Sequence, residues 1–401
     1  MDRRKFLLRA GALGCSAAAS PLVTPVAFAD APWEGRLVVV LLRGAMDGLD
    51  VLRPTFDPAF AGLRDGLMTG AGAGGIELAD GWLLHPGLAD LAPLWRAGEL
   101  SFAHAVSTPY RDRRSHFDGQ DMLEAGSAAE DRPERDGWLN RMLTLLPGVE
   151  ARTAYALDQT EPLILKGEAP YSQWSPRTRL ALTPQAQRLL ELVQGTEPMV
   201  AAASARAIEI AAQVDAEAEM AEETEDMMAE MGGVTGNGAH LALARFAATR
   251  LRGDTRVAAF SLNGWDTHAR QVGMLNGALR RLSETILTLK AGLGPAWDKT
   301  AVLFMTEFGR TVRPNGTGGT DHGTGGAMVM AGGALRGRQV VTDWPGLDEA
   351  DLYRARDLMP TRDVRAMAAW VMRGLVGLER GDLERVVFPG LDMGDDPRLI
   401  A

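Results

Sequence analysis

The run RLVVVLL at residues 36–42 constrains the fold more than any other stretch of the chain. A strand that is apolar on both faces is typical of the middle of a parallel sheet covered by helices. Downstream, strands and helices are predicted to alternate: helix 240–251, strand 256–262, helix 270–289, strand 300–305 and strand 327–331. This order predicts a doubly wound α/β/α sandwich with a mostly parallel central sheet, in which ligands bind at the carboxyl ends of the strands.

Composition and charge narrow the functional classes. The chain has 401 residues, of which 46% are hydrophobic, too many for a mainly disordered protein. Its 42 basic and 52 acidic side chains give a formal net charge of −10. Nucleic-acid binding depends on clustered Lys and Arg side chains that contact phosphate, so we do not expect a nucleic-acid partner.

Residues 1–29 are predicted to be a twin-arginine signal peptide. Arg3 and Arg4 precede a weakly apolar segment, and an A-x-A sequence at 27–29 matches a cleavage site. We therefore expect the Tat translocase to export the protein to the periplasm or the extracellular space, with no transmembrane anchor in the mature chain. Because Cys15 is the only cysteine, the mature protein is expected to lack disulfides and cysteine nucleophiles.

The remainder of the chain, residues 30–401, is predicted to form one α/β domain. Its length is sufficient to bury a large core. A stretch rich in Ala, Glu and Met at about 187–232 interrupts the alternation of strands and helices, and we predict that it is a helical insert.

Four loops beside predicted strands carry most of the polar residues that can do chemistry. They are Asp47 after the first strand, GWDTH at 264–268, TEFGRT at 306–311 and NGTGGTDHGTGG at 315–326. Asp266 and His268 are two residues apart, so both side chains leave the same face of an extended segment. A carboxylate and an imidazole placed in this way suit Zn²⁺ or Mn²⁺. Each loop alone also fits a hydrogen-bonded turn, but their joint position at strand ends favours a metal site.

A fifth segment, YRDRRSHF at residues 110–117, precedes and opens a predicted helix. Ser115 is placed to cap this helix, and Arg113 and Arg114 come directly before it. A helix N-terminus flanked by cations favours an anion, and a hydroxyl at that point can act as a nucleophile. His116 could carry a proton or contact the substrate. The alternative, which this segment alone favours, is an ordinary N-cap serine with solvated arginines.

Taken together, these motifs resemble those of a bacterial exported family, the proteins with domain of unknown function 1501 (DUF1501). The resemblance runs from about residue 36 to the final helix. It rests on the twin-arginine leader and on RGAMDGLD, RRSHFDGQDMLEAG, GWDTH, TEFGRT and NGTGGTDHGTGG. The family is similar in fold to the alkaline phosphatase superfamily, which includes sulfatases, phosphodiesterases and cofactor-independent phosphoglycerate mutases. Members of that superfamily usually hold two divalent metals beside a serine, threonine or modified cysteine nucleophile.

The resemblance implies a set of site residues. Ser115 takes the place of the nucleophile, and Arg113 or Arg114 would hold the anion. The implied metal ligands are Asp47, Asp266, His268, Glu307 and His322. Phe308 stands where the superfamily has a metal-binding histidine, so one of the two sites loses a nitrogen ligand. Asp321 is expected to compensate in part.

Two functions are compatible with these expectations. The first is an exported metal-dependent hydrolase of phosphate or sulfate esters that holds one or two ions of Zn, Mn, Mg or Ca. Its substrate would be a small anionic ester or an envelope polymer. The alternative is a non-catalytic periplasmic or envelope protein for binding or assembly that keeps the fold and at most one metal. The grouping of polar residues at strand ends favours the hydrolase, whereas Phe308 favours the alternative.

Overall fold

The computed structural model describes residues 33–127, 134–157, 162–175 and 238–401. The predicted signal peptide at 1–29 and the predicted helical insert at 187–232 lie outside these residues. Within the part of the chain that the structure describes, no helix has both the length and the apolar character needed to cross a membrane.

The described residues form the following strands and helices. The strands are β1 (Arg36–Arg43), β2 (Leu52–Pro54), β3 (Ile76–Ala79), β4 (Trp82–Leu84), β5 (Leu100–Ser107), β6 (Ala154–Leu157), β7 (Ser172–Trp174), β8 (Val257–Asn263), β9 (Thr300–Met305), β10 (Gly326–Ala331), β11 (Val340–Val341) and β12 (Arg362–Asp363). The α-helices are α1 (Gly48–Val51), α2 (Pro58–Arg64), α3 (Ala92–Ala97), α4 (His116–Ala125), α5 (Trp138–Thr144), α6 (Ala239–Arg252), α7 (Gln271–Leu293), α8 (Val364–Val376) and α9 (Arg380–Asp382).

The main sheet has the strand order β11–β5–β10–β9–β1–β8–β6–β7, and β12 also pairs with β5. β10 is antiparallel to both β5 and β9. The other pairings in this sheet are parallel. A small antiparallel sheet, β2–β4–β3, lies apart from it. The prediction of an α/β fold with a mostly parallel central sheet is therefore confirmed.

The central strand β1 is buried on both faces, as its continuous apolar sequence predicts. Successive side chains point to opposite faces of a strand. Val38, Val40 and Leu42 belong to a core cluster with side chains of α6 and α7. Leu37 and Leu41 belong to a second cluster with side chains of α5 and α8. Helices therefore cover both faces of the sheet, which gives the three layers of the predicted sandwich.

Two buried histidines in this fold have lowered pKa values. His85 caps a 3-10 turn by accepting the backbone N–H of Gly87 through Nδ1 at 2.9 Å. His104, in β5, accepts the backbone N–H of Ala105 through Nδ1 at 2.9 Å. Burial lowers the pKa of His85 to about 3 and that of His104 to about 4. Protonation of either ring at Nδ1 would break its hydrogen bond and charge a buried group.

These histidines predict a loss of stability in acid. An unfolded histidine titrates near pH 6.5, so the unfolded chain binds more protons than the folded one as the pH falls below that value. Each histidine should then lower the free energy of unfolding by about 1.4 kcal/mol per pH unit. In His85→Asn the cap acceptor is retained and the titrating ring is lost. We expect urea unfolding between pH 6 and pH 4.5 to show that the free energy of unfolding of this variant falls less steeply with falling pH than that of the wild type, by about 1.4 kcal/mol per pH unit. An unchanged slope would contradict the buried neutral state of His85.

A second prediction concerns the contact of α1 with β10. A Cβ atom at Gly48 would lie 2.6 Å from the backbone nitrogen of Ala327 and 2.8 Å from the carbonyl carbon of Gly326. Gly48→Ala should therefore lower the free energy of unfolding by about 1–3 kcal/mol. Gly62, an exposed position of α2, has nothing within 4 Å of its Cβ position. Gly62→Ala should raise the free energy of unfolding by about 0.5–1 kcal/mol. Equal effects in urea unfolding would argue against the α1–β10 contact.

Candidate metal centre

The loops that carry the predicted site residues leave the main sheet at one edge. β1 is parallel to β8 and to β9, with Arg43 opposite Asn263 and Leu41 opposite Met305. The segments that follow these three strands therefore begin side by side. β10 runs in the opposite direction, so the loop that leads into it, residues 306–325, returns to the same edge.

Helix α4 brings His116 to this edge. Ser115 is its N-cap, and Oγ of Ser115 accepts the backbone N–H of Asp118 at 3.4 Å. Gly119, in the first turn, faces the ring of Phe308, and a Cβ there would lie 3.0 Å from two ring carbons. The absence of a side chain at Gly119 therefore lets α4 pack against the loop that follows β9.

Four side chains form a group that we call the candidate metal cluster: His116, Asp266, His268 and His322. Ligand atoms of His116, Asp266 and His322 all lie within 4.8 Å of one another. Nε2 of His268 lies 2.9 Å from Nε2 of His322 and 3.2 Å from Oδ1 of Asp266. Nε2 of His116 lies 3.4 Å from Oδ2 of Asp266. Each of these imidazoles thus turns Nε2 towards the same carboxylate.

The second ring nitrogen of each histidine is hydrogen-bonded outside the cluster. The Nδ1 contacts are His116 to Oε1 of Glu307 at 2.8 Å, His268 to Oδ1 of Asp321 at 3.1 Å, and His322 to the carbonyl oxygen of Arg114 at 2.9 Å. Carboxylates and carbonyls in this position are the groups that orient metal-binding histidines in proteins.

These contacts indicate which ring nitrogens are available to bind a cation. A neutral imidazole carries one N–H, and an Nδ1 that donates to carboxylate or carbonyl oxygen leaves Nε2 with a lone pair. Nε2 of His268 and Nε2 of His322 then face each other at 2.9 Å. Two lone pairs repel at this distance, whereas a proton or a metal ion between them removes the repulsion. The protonation pattern therefore favours a cation at the cluster.

The spacing of the donor atoms also suits a metal. In a tetrahedral zinc site with bonds of about 2.0–2.1 Å, neighbouring ligand atoms are about 3.3 Å apart. The distances between Nε2 and carboxylate oxygen in the cluster are 3.2 Å for His268, 3.3 Å for His322 and 3.4 Å for His116. Three imidazoles and one carboxylate are donors that Zn²⁺ and Mn²⁺ accept. His116, Asp266 and His322, whose ligand atoms all lie within 4.8 Å of one another, could therefore hold one divalent ion, and Nε2 of His268 adjoins them at 2.9 Å from Nε2 of His322.

Arg310 contacts the carboxylate of the cluster, and the sequence patterns did not single it out. Its buried guanidinium donates through Nη2 to Oδ1 of Asp266 at 2.8 Å. Burial raises the pKa of Asp266, but the charges of Arg310 and the nearby histidines outweigh it, so the pKa is lowered. Nε and Nη1 of Arg310 have no hydrogen-bond partner among the described residues. The available signal was a charged side chain in the strand-end motif TEFGRT.

Glu307, which is predicted to be a metal ligand, binds His116 in this structure. Its Oε1 accepts Nδ1 of His116 and the backbone N–H of Gly44, both at 2.8 Å, and Nε2 of Gln120 at 3.2 Å. Burial raises the pKa of Glu307, but these hydrogen bonds outweigh it, and the pKa is lowered. The same hydrogen bond raises the pKa of His116. Glu307 therefore lies behind the cluster and orients one of its rings.

Phe308 lies under the ring of His116. The two ring centroids are 5.3 Å apart and nearly parallel, and Tyr110 stacks on Phe308 at 5.9 Å. Phe308, which stands where the superfamily has a histidine ligand, thus provides an apolar surface on which the ring of His116 packs. His116, which is predicted to carry a proton or contact substrate, has its Nε2 in the cluster.

Asp47, another predicted ligand, lies outside the cluster. Its two carboxylate oxygens accept Nη1 and Nη2 of Arg64 at 2.6 and 3.1 Å, and Oδ2 also accepts Nε2 of Gln271 at 2.6 Å. Burial raises the pKa of Asp47, but Arg64 outweighs it and the pKa is lowered. All three side chains are buried. In this conformation Asp47 is part of a buried polar network beneath the loops.

The remaining predicted residues surround the cluster. Asp321 accepts Nδ2 of Asn315 at 3.0 Å in addition to its contact with the cluster. Arg114 contributes its backbone carbonyl, and its guanidinium lies 3.9 Å from Asp357. Arg113 is exposed on the same loop.

The sequence matches the family described as "Protein of unknown function (DUF1501)" over residues 95–378. No curated protein matches the chain.

Three similar solved structures share little sequence with the chain. The lipoteichoic acid synthase LtaP from Listeria monocytogenes is 8% identical over 92% of this chain and 77% of that chain, with a TM-score of 0.42. A protein in the alkaline phosphatase superfamily from Vibrio parahaemolyticus is 11% identical over 78% of this chain and 64% of that chain, with a TM-score of 0.37. The C-terminal periplasmic domain of EcEptC from Escherichia coli, in complex with Zn, is 10% identical over 91% of this chain and 92% of that chain, with a TM-score of 0.38.

The cluster predicts binding of one Zn²⁺ ion per chain. His322→Ala removes the ring that contacts both His268 and Asp266, so we expect loss of the ion. His240 of α6, whose Nε2 contacts Glu284 of α7, provides the control, and His240→Ala should retain the ion. Elemental mass spectrometry after dialysis against Zn²⁺ measures both. Two ions in the wild type, or equal content in the two variants, would contradict the site.

Proposed function

The chain belongs to the DUF1501 family, and we propose that it is an exported metal-dependent hydrolase of phosphate or sulfate esters. The observation that supports the proposal most directly is the candidate metal cluster. Three imidazole Nε2 atoms face the carboxylate of Asp266, while each Nδ1 is hydrogen-bonded elsewhere. Donors arranged in this way before an ion binds are the kind that metal-dependent hydrolases use. The proposal of export rests on the predicted signal peptide at 1–29.

A divalent ion held by His116, Asp266, His268 and His322 would supply a Lewis acid that neutralises charge on the transferring group. The protein's own contribution is to keep these donors in position. Glu307 orients the ring of His116, and Arg310 keeps the pKa of Asp266 low. A low pKa favours the ionised carboxylate, which is the form that binds a cation.

The residues around the cluster suit an anionic substrate. Arg113 and Arg114 precede the N-terminus of α4, where unpaired backbone N–H groups and the helix dipole favour negative charge. A phosphate or sulfate ester carries its negative charge at the atom to be attacked. We therefore propose a small anionic ester or an anionic envelope polymer as substrate.

Ser115 is the proposed nucleophile. It directly precedes His116, and its hydroxyl lies at the N-terminus of α4. In the proposed reaction, Oγ of Ser115 forms a bond to phosphorus or sulfur while the bond to the ester oxygen breaks, and the hydroxyl proton leaves with that oxygen as the alcohol. Water then releases the anion from the serine and restores the hydroxyl.

A second candidate is a non-catalytic envelope protein in which an ion only holds the loops together. Two observations favour it. Arg64 and Gln271 occupy the carboxylate of Asp47, so this carboxylate is not free to bind a second ion. Phe308 supplies an apolar ring where the superfamily has a ligand. This candidate predicts Zn²⁺ binding without ester hydrolysis.

Replacement of Ser115 tests the nucleophile separately from the helix cap. Ser115→Asn keeps a side-chain oxygen for the cap, whereas Ser115→Ala loses both the cap and the hydroxyl. We expect both variants to lose hydrolysis of p-nitrophenyl phosphate or sulfate by about 1,000-fold or more, and only the alanine variant to lose about 1 kcal/mol of stability.

Ser172→Ala, in the distant β7, serves as the control and should retain turnover. Turnover retained by Ser115→Asn would exclude the serine as nucleophile. A wild type that binds Zn²⁺ but hydrolyses neither ester would favour the non-catalytic candidate.

A further inference from the structure

Gln271, the first residue of α7, is buried beneath the candidate metal cluster and joins three segments of the chain. Its Oε1 accepts Oγ1 of Thr267 at 2.9 Å and Oγ1 of Thr320 at 2.6 Å. Its Nε2 donates to Oδ2 of Asp47 at 2.6 Å and, more weakly, to Oδ2 of Asp50 at 3.4 Å. The amide thus uses both of its N–H donors and accepts two hydroxyl donors.

The orientation of this amide is determined by its partners. Asp47 and Asp50 can only accept hydrogen bonds when ionised, so Nε2 must face them and Oε1 must face the two threonines. Each threonine hydroxyl then has its single proton committed to Oε1. Thr267, Thr320 and Gln271 are all fully buried, and water does not compete for these contacts.

The two threonines belong to the segments that carry the cluster. Thr267 lies between Asp266 and His268, and the side chains of successive residues in an extended segment leave opposite faces. Thr320 lies two residues before His322. Hydrogen bonds from the two threonines to one amide oxygen therefore link the backbone of both ligand segments. The backbone N–H of Thr320 also donates to the carbonyl oxygen of Thr267 at 3.1 Å.

We propose that Gln271 is a positioning residue that sets the distance between the Asp266–His268 segment and His322, and so tunes the affinity of the cluster for metal. This inference rests on the proposed metal centre. Gln271 itself would not contact the ion. It acts through Thr267 and Thr320, whereas the link to Asp47 ties the same amide to the segment after β1.

The test is a competitive Zn²⁺ titration of the full chain against a chromophoric chelator. Loss of a group that orients metal ligands typically lowers metal affinity by about 10–100-fold. We expect a loss of this size for Gln271→Leu and a smaller loss for Thr320→Val. Thr320→Ser restores the hydroxyl and should restore the affinity. Because Thr320 acts through Gln271, the double variant should bind Zn²⁺ no more weakly than Gln271→Leu.

Thr285 provides a matched control on the same helix. It is buried, and its hydroxyl donates to the carbonyl oxygen of Arg281 at 2.7 Å, away from the cluster. Thr285→Val should retain the wild-type affinity. The visible spectrum of bound Co²⁺ supplies a second measurement, because a change in ligand spacing alters its bands while a change in stability alone does not.

The outcomes separate this inference from the proposed function. A wild type that binds neither Zn²⁺ nor Co²⁺ would refute the metal centre itself. The role of Gln271 alone would be overturned if the wild type binds Zn²⁺ and Gln271→Leu folds, binds Zn²⁺ with equal affinity and leaves the Co²⁺ spectrum unchanged. If Gln271→Leu does not fold, the Thr320 variants provide the test. Wild-type Zn²⁺ affinity in Thr320→Val would overturn the inference. Weaker Zn²⁺ binding in Thr320→Val, with wild-type affinity in Thr320→Ser, would support it. Losses that add in the double variant would also overturn it.

Discussion

The parallel pairing of β1 with both β8 and β9 is the constraint on which the site depends. It places the ends of three strands side by side, and the antiparallel β10 returns the fourth loop to the same edge. Residues that are far apart in sequence meet there because their strands are neighbours in the sheet. The buried apolar side chains of β1 stabilise this arrangement from both faces of the sheet.

Much of the fold could be predicted because buried parallel strands leave a strong pattern in sequence. The uninterrupted apolar run at 36–42 and the regular alternation after residue 240 correspond to β1, α6, β8, α7 and β9. The direction of β10 could not be derived from apolar pattern alone, since a buried strand has the same pattern in either direction. Parallel neighbours are usually joined through a helix, and the connection from β9 to β10 contains none. The absence of that helix indicates antiparallel pairing, but it is not part of the apolar pattern.

The sequence is enough to predict which loops form the site, but not which side-chain atoms meet at its centre. The positions of Asp266, His268 and His322 at predicted strand ends are enough to group them in one site. Sequence spacing does not reveal whether a carboxylate lies among the donor atoms of the cluster or behind a histidine ring. Glu307 and Asp321 lie behind the rings, where they accept hydrogen bonds from Nδ1 of His116 and His268. Arg310 and Gln271 could not be recognised, because their roles depend on burial and on partners from other strands.

The histidine cluster has a mechanical consequence for a chain whose only cysteine lies in the predicted signal peptide. His116 belongs to α4, whereas Asp266, His268 and His322 belong to loops of the main sheet. An ion bound to all four would act as a cross-link that closes a long loop of the chain, as a disulfide does in secreted proteins. Unlike a disulfide, this cross-link would open and close with the supply of free metal around the protein.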